Sequence, residues 1–178
     1  MNIIDQIISN YLNNKSLYIG EKVTMSEHMI QTAMLAEETN CSNNLICSSL
    51  LHDYGHFILE NPNYLVNKNK DGKHEDVGYK FLKKYFIKDV LGPIKYHVKA
   101  KKYLAREEKY YKLLSEASKI SLKLQGGIMS NEEAKKFESN EFFENSIKLR
   151  KFDEIAKKSG LKIKSINEYK NLLATKLI

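Results

Sequence analysis

A chain of 178 residues is the length of one domain and can bury roughly 70% of its unfolded surface without staples. Its two cysteines, Cys41 and Cys47, argue against a secreted disulfide scaffold and suit a reducing cytosol, and thiolate ligation of a metal is not expected. The formal charge is +7, but Arg106 and Arg150 are the only arginines among 29 basic residues; this is not the composition of a nucleic-acid reading surface, whereas scattered lysines give a positive field that suits a small anion.

The first segment, Met1 to Leu12, carries Ile3, Ile4, Ile7, Ile8 and Leu12 at helical spacing together with Asp5, Gln6 and Asn10. It reads as an amphipathic helix and not as a signal peptide. No run of about 18 apolar residues follows anywhere, so the expectation is a cytoplasmic protein without a membrane span. Helical periodicity continues through Met29, Ala33 and Ala36, through Leu45, Leu50 and Leu51, and through Val77, Phe81 and Tyr85. Two breaks interrupt it: Glu60 to Gly72, rich in Asn, Lys and Gly with Pro62, and Gln125-Gly126-Gly127. Late helices are announced by capping boxes, Ser130 with Glu133 and Ser165 with Glu168, and by Asn140 ahead of a long segment from Phe143 to Lys158. No repeat of roughly 20 to 50 residues occurs. The predicted fold is one all-α helical bundle over residues 1–178, ending in a C-terminal helix over 165–178.

All five histidines, His28, His52, His56, His74 and His97, fall in the middle of this pattern, and all but His56 belong to different predicted helices or helix starts. One histidine on an apolar helix is more often a hydrogen-bonded core or surface residue than a ligand; their joint arrangement carries the signal. His52 and Asp53 are adjacent at the end of an apolar run, and neighbours on a helix point about 100° apart, so the doublet can surround a metal or place a bridging carboxylate between two. His56 lies one turn further, positioned to support a ligand or touch a substrate. His97 precedes Lys101 by four residues, which sets a ligand and an ammonium on one helix face about 6 Å apart at their Cβ atoms, an arrangement suited to an anion bound at the metal. Asp153, between Phe152 and Glu154, reads by itself as an ordinary helix-surface charge. Imidazoles and carboxylates without thiolates suit iron, manganese or zinc, and the residues alone do not rank these.

Glu27-His28-Met29, Leu50 to His56, Lys73-His74-Glu75, His97 to Leu104 and Leu122 to Met129 together resemble one branch of the HD-domain proteins, the mixed-valent diiron oxygenases of phosphonate breakdown. Its prototype acts on 2-amino-1-hydroxyethylphosphonate, and myo-inositol oxygenase is a more distant relative. The resemblance covers about Tyr18 to Asp153. The His-Asp doublet is shared with a very large hydrolase superfamily; Lys101-Lys102-Tyr103-Leu104 and Leu124-Gln125-Gly126-Gly127 are much more specific.

The resemblance implies two irons, Fe(II) and Fe(III), with O2 as co-substrate. His28, His52, Asp53 and Asp153 would hold one iron, and Asp53 would bridge to a second held by His74 and His97, which keeps open positions. Lys101 and His56 would meet the phosphonate, helped by Ser118, preferred over Ser121, and by Gln125. Tyr18 and Glu21 match a lid pair in which the tyrosine gives way to substrate and the glutamate meets a substrate amine. Oxidation at the carbon bearing phosphorus would then cleave the C–P bond and release phosphate, with glycine as second product from the amino-hydroxyethyl substrate. A small phosphonate is the expected partner, with no nucleic acid or membrane, and a monomer is compatible. The competing expectation is a metal-dependent HD phosphohydrolase acting on a nucleotide or small phosphate ester; a third is a regulatory module that keeps the helices without catalysis.

Overall fold

The structure is a computed structural model and describes residues 2–18, 20–59 and 71–178; most of the expected loop Glu60 to Gly72 therefore lies outside the described residues. Among the described residues, helices carry the fold, and strand pairing is confined to two isolated bridges, Leu17 with Thr24 and Phe86 with Leu177. Helix α1 (Ile3–Asn13) begins where the Asn2 side chain accepts the Asp5 amide, and buries Ile4, Ile7, Ile8 and Tyr11, one apolar stripe at helical spacing. Helix α2 (Met25–Glu38) opens with a capping box formed by Thr24 and Glu27, and α3 (Asn43–Leu51) opens on the Ser42 hydroxyl. A single-turn helix α4 (Gly55–Ile58) follows, then α5 (His74–Leu82) and the long α6 (Lys88–Leu104). The chain continues through α7 (Glu108–Leu113), α8 (Glu116–Leu124), α9 (Asn131–Glu138) and α10 (Phe143–Ile155).

The centre of the bundle is formed by α2, α3, α6 and α10, which all pack on one another or through a shared neighbour, with α5 laid against α6 and α4 against α5. Almost the whole of α3 is buried, which accounts for its continuous apolar sequence. Two close approaches set the geometry. Gly92 on α6 lies so near the Phe142 ring that a Cβ there would fall 2.2 Å from it, so a glycine is what lets α6 meet the start of α10. Gly55 on α4 faces Gly78 on α5, and a Cβ on Gly55 would fall 1.9 Å from the carbonyl oxygen of His74. The main core runs from Ile4 and Met29 through Leu50, Tyr54 and Ile94 to Leu173; a smaller one joins Leu104, Met129, Phe137 and Ile147.

Three boundaries differ from those predicted. The segment expected to run helically from Phe143 to Lys158 stops at Ile155, because residues 156–158 are tied to α2: the Ala156 carbonyl accepts from His28 Nδ1 (2.9 Å), and Lys158 exchanges hydrogen bonds with the Gln31 amide. Asn140 does not cap α10; its side chain accepts the Phe142 amide in the preceding turn. The C-terminal helix expected over 165–178 is a 3-10 turn, Ile166–Tyr169, followed by α11 (Lys170–Ala174), after which Leu177 pairs with Phe86. The Ser165 and Glu168 capping box is present, but it starts a 3-10 turn.

Candidate metal centre and cavity

His28 comes from the first turn of α2, His52 from the C-terminal end of α3, His97 from α6 and Asp153 from the last turns of α10. His74 is the first residue of α5, and the contact of Gly55 with its carbonyl draws that helix start toward Asp53. Asp153, a surface charge when read by itself but a metal ligand by the resemblance, is buried, as are His28, His52, Asp53 and His97. A helix surface becomes interior here because α10 packs on α2, α3 and α6 at once.

Ring orientation follows from hydrogen bonding. His28 Nδ1 faces the Ala156 carbonyl at 2.9 Å, His52 Nδ1 the Ser49 carbonyl at 2.8 Å, and His97 Nδ1 the Ile94 carbonyl at 2.7 Å. A carbonyl oxygen can only accept, so each Nδ1 carries the proton and each Nε2 of the neutral ring offers a lone pair. Those Nε2 atoms converge in two groups. His28 and His52 approach to 3.2 Å, with Asp153 Oδ1 at 3.3 Å and Asp53 Oδ2 at 3.6 Å from His28. His74 and His97 approach to 3.0 Å, with Asp53 Oδ1 at 3.1 and 3.4 Å. The two oxygens of Asp53 thus serve different groups.

These residues fit a pair of metal ions. Lone pairs of facing imidazoles repel unless a cation or proton lies between them, and Asp53 Oδ1, Asp53 Oδ2 and Asp153 Oδ1 are buried without a hydrogen-bond donor. His28, His52 and Asp153 form one possible ligand set, and Asp53, His74 and His97 another. The electrostatics point the same way. Burial would push the Asp53 carboxyl up, but His52 and His74 beside it hold it well below the usual carboxylate range. Burial would push His28 down, but Asp153 and Asp53 raise it to about 9, so the carboxylates call for positive charge at this point. A donor set of nitrogen and oxygen without sulfur suits iron, manganese or zinc.

The two groups differ in access. A cavity of about 320 Å³ is lined by Asp53, His74, His97 and Asp153, whereas His28 and His52 do not line it. The Tyr18 ring lies flat on His28, with centroids 4.1 Å apart and planes 11° from parallel, and it faces the cavity. Tyr18 and Glu21 share one tight turn, in which the Glu21 amide donates to the Tyr18 carbonyl (2.9 Å). Lys101, buried on α6, donates to the Ser121 hydroxyl at 2.9 Å. Burial, with Arg150 nearby, pushes its ammonium down to about 7 despite Asp153 and Asp53. His56 stacks on His74 at 4.3 Å; burial and His74 push it down to about 3, so it is a neutral ring facing the cavity. The Gln125 side-chain oxygen is buried without a partner at the cavity wall.

The sequence does not single out Arg150, Glu154 or Lys157, and Ser118 is preferred to Ser121. Arg150 is buried and binds both Asp153 Oδ2 and Glu154 Oε2, while its Nε donates to the Tyr110 hydroxyl at 3.0 Å. Asp153 is therefore divided, with Oδ2 fixed by Arg150 and Oδ1 turned to His28. Ser118 donates to Glu154 at 2.9 Å and receives the Lys157 ammonium at 2.9 Å, so of the two serines weighed it is Ser121 that touches Lys101. Glu21 has partners of its own, the Ser115 hydroxyl at 2.7 Å and Lys157 at 3.3 Å. The spacing of Arg150, Asp153 and Glu154 puts these three on one helix face, with Lys157 just beyond the helix end, a signal available once Asp153 is taken as buried.

A model of the HD domain matches residues 25–122. The chain is 41% identical over 145 residues to the 1-hydroxy-2-(trimethylamino)ethylphosphonate dioxygenase (glycine-betaine-forming) of Leisingera caerulea, a match spanning 81% of this chain and 74% of that protein. It is 40% identical over 157 residues to the hydroxymethylphosphonate dioxygenase of Gimesia maris, spanning 85% and 77%. An uncharacterised protein of Acanthamoeba polyphaga mimivirus is 39% identical over 183 residues, spanning 97% and 84%. The chain belongs to the HD-domain family, in the branch that holds the hydroxyphosphonate dioxygenases.

Proposed function

We propose that this protein uses two irons and O2 to cleave the C–P bond of a small 1-hydroxyphosphonate. The observation that carries the reading is the shared carboxylate: Asp53 joins two imidazole groups, of which only the His74 and His97 group has both histidines at the cavity. His28, His52, Asp53 and Asp153 would hold one iron, and Asp53, His74 and His97 the other. A mixed-valent Fe(II)/Fe(III) pair supplies the redox capacity that amino-acid side chains lack.

The remaining work belongs to the chain. Lys101 faces the cavity as a compact cation for a phosphonate oxygen, held in place by Ser121. His56 offers a neutral ring nitrogen and Gln125 an unpaired amide oxygen, both suited to a hydroxyl or a protonated phosphonate oxygen. Tyr18 covers His28 and narrows the space open to water. The cavity volume of about 320 Å³ lies at the lower end of ligand pockets, which supports a small substrate over a nucleotide. In the balanced reaction the 1-hydroxyphosphonate and O2 give a carboxylic acid and phosphate: the carbon loses its hydrogen and its bond to phosphorus and becomes the carboxyl carbon.

Which member of the class is used depends on the end of the cavity where Glu21 stands. A free carboxylate there selects 2-amino-1-hydroxyethylphosphonate, with glycine as second product, as the sequence resemblance implies; a neutralised one selects a substrate without an amine. The deciding experiment is phosphate release from a panel of 1-hydroxyphosphonates by iron-loaded protein, with and without O2. O2-dependent release by the iron form alone supports the reading. Equal release by zinc- or manganese-loaded protein under nitrogen would replace it with the phosphohydrolase.

A further inference from the structure

We infer that Lys157 is a specificity-determining residue: its ammonium, held between Glu21 and Glu154, occupies the place of a substrate amine and directs the cavity to 1-hydroxyphosphonates that carry no cation. The inference rests on the phosphonate reading of the site and narrows its substrate class.

The Lys157 side chain is 9% exposed and follows the end of α10. Its Nζ lies 2.9 Å from Ser118 Oγ, 3.1 Å from Glu154 Oε1, 3.2 Å from Ser115 Oγ and 3.3 Å from Glu21 Oε1. An ammonium has three protons, and four acceptors already surround this one. Both oxygens of Glu154 and one oxygen of Glu21 are engaged as well. Glu21 Oε1 accepts from the Ser115 hydroxyl and from Lys157. Glu154 Oε1 accepts from the Ser115 amide and Lys157, and its Oε2 from Ser118 and Arg150. Pairing Lys157 with Glu21, and Arg150 with Glu154, leaves this end without net negative charge. A second cation brought to Glu21 would stand against Lys157, whose charge already offsets that carboxylate, and like charges at such range are strongly unfavourable. Of the other acids that line the cavity, Asp53 and Asp153 belong to the two imidazole groups, Glu116 holds Lys119 at 2.7 Å and Asp71 accepts the Lys73 amide at 3.0 Å. Lys101, also at the cavity wall, adds to the repulsion.

The test compares hydroxymethylphosphonate with 2-amino-1-hydroxyethylphosphonate, by calorimetric binding to the metal-loaded protein and by O2-dependent phosphate release. The unmodified protein is expected to favour hydroxymethylphosphonate by roughly tenfold or more in kcat/KM and in affinity. Lys157→Met, which keeps the stem and removes the charge, should move the ratio toward the amine by a similar factor, and Lys157→Arg should hold it near the original. Lys157→Gln, which keeps a side-chain donor for Ser118 and Glu154 while removing the charge, provides a second reading should Lys157→Met fold poorly, and should move the ratio toward the amine in the same way. A wild-type preference for the aminated substrate, or an unchanged ratio in Lys157→Met, overturns the inference. Should neither compound release phosphate, the oxygenase reading fails, while the calorimetric ratio still decides the role of Lys157.

Discussion

The Gly55 backbone touches the His74 backbone: a Cβ on Gly55 would fall 1.9 Å from the His74 carbonyl oxygen. This contact holds the start of α5 against α4 and brings His74 Nε2 to 3.1 Å from Asp53. Gly55→Ala should cost about 1–3 kcal/mol by overpacking and push His74 off the centre. Denaturant unfolding and metal analysis of the purified variant check this; full stability with both ions bound would mean that the contact does not position His74.

The division of ligands between two groups predicts a pattern of metal content. His28→Ala should lose one ion, His74→Ala or His97→Ala the other, and Asp53→Asn should weaken both by more than about 100-fold, because its two oxygens face different groups. Elemental analysis after iron loading measures it. Equal loss of both ions in every histidine variant would contradict two separable sites.

Arg150 is buried between two carboxylates. Arg150→Met leaves Asp153 and Glu154 without their common partner, and removing one member of a buried ion pair costs roughly 3–5 kcal/mol. Chemical denaturation should register that loss. Arg150→Lys should recover only part of it, since a single ammonium cannot reproduce a fork that spans two acids.

Lys101 gives a pH dependence. Its ammonium is pushed down to about 7, so the cation is present below that pH and disappears above it. The affinity advantage of the unmodified protein over Lys101→Met for a phosphonate should be greatest below pH 7 and shrink as pH rises through it. Comparing the two proteins cancels the titration of the phosphonate itself. A ratio flat across this range would remove Lys101 from anion binding.

The helical class and the histidines were legible because both are written locally: periodic apolar residues and capping serines mark the helices, and an adjacent His52 and Asp53 at the end of a buried run mark the centre. The role of Arg150 was not. An arginine beside acids on one helix reads as a solvated surface pattern, and only the packing of α10 against α2, α3 and α6 turns that face inward. Lys157 was hidden for a related reason, since its partner Glu21 lies far away in sequence. The end of α10 was misread because it is fixed by tertiary bonds, from His28 to Ala156 and from Gln31 to Lys158, and not by a local stop signal.

Because Tyr18 lies across His28, and neither His28 nor His52 lines the cavity, two ions bound as proposed would differ in how quickly they exchange with solution. An ion held by His74 and His97 can leave through the cavity, while one held by His28 and His52 must wait for the Tyr18 turn to open or for its neighbour to depart. A chelator should therefore draw the ions out in two phases, the cavity-side ion first. Substitution of Tyr18 by alanine should merge the phases by speeding the slower one.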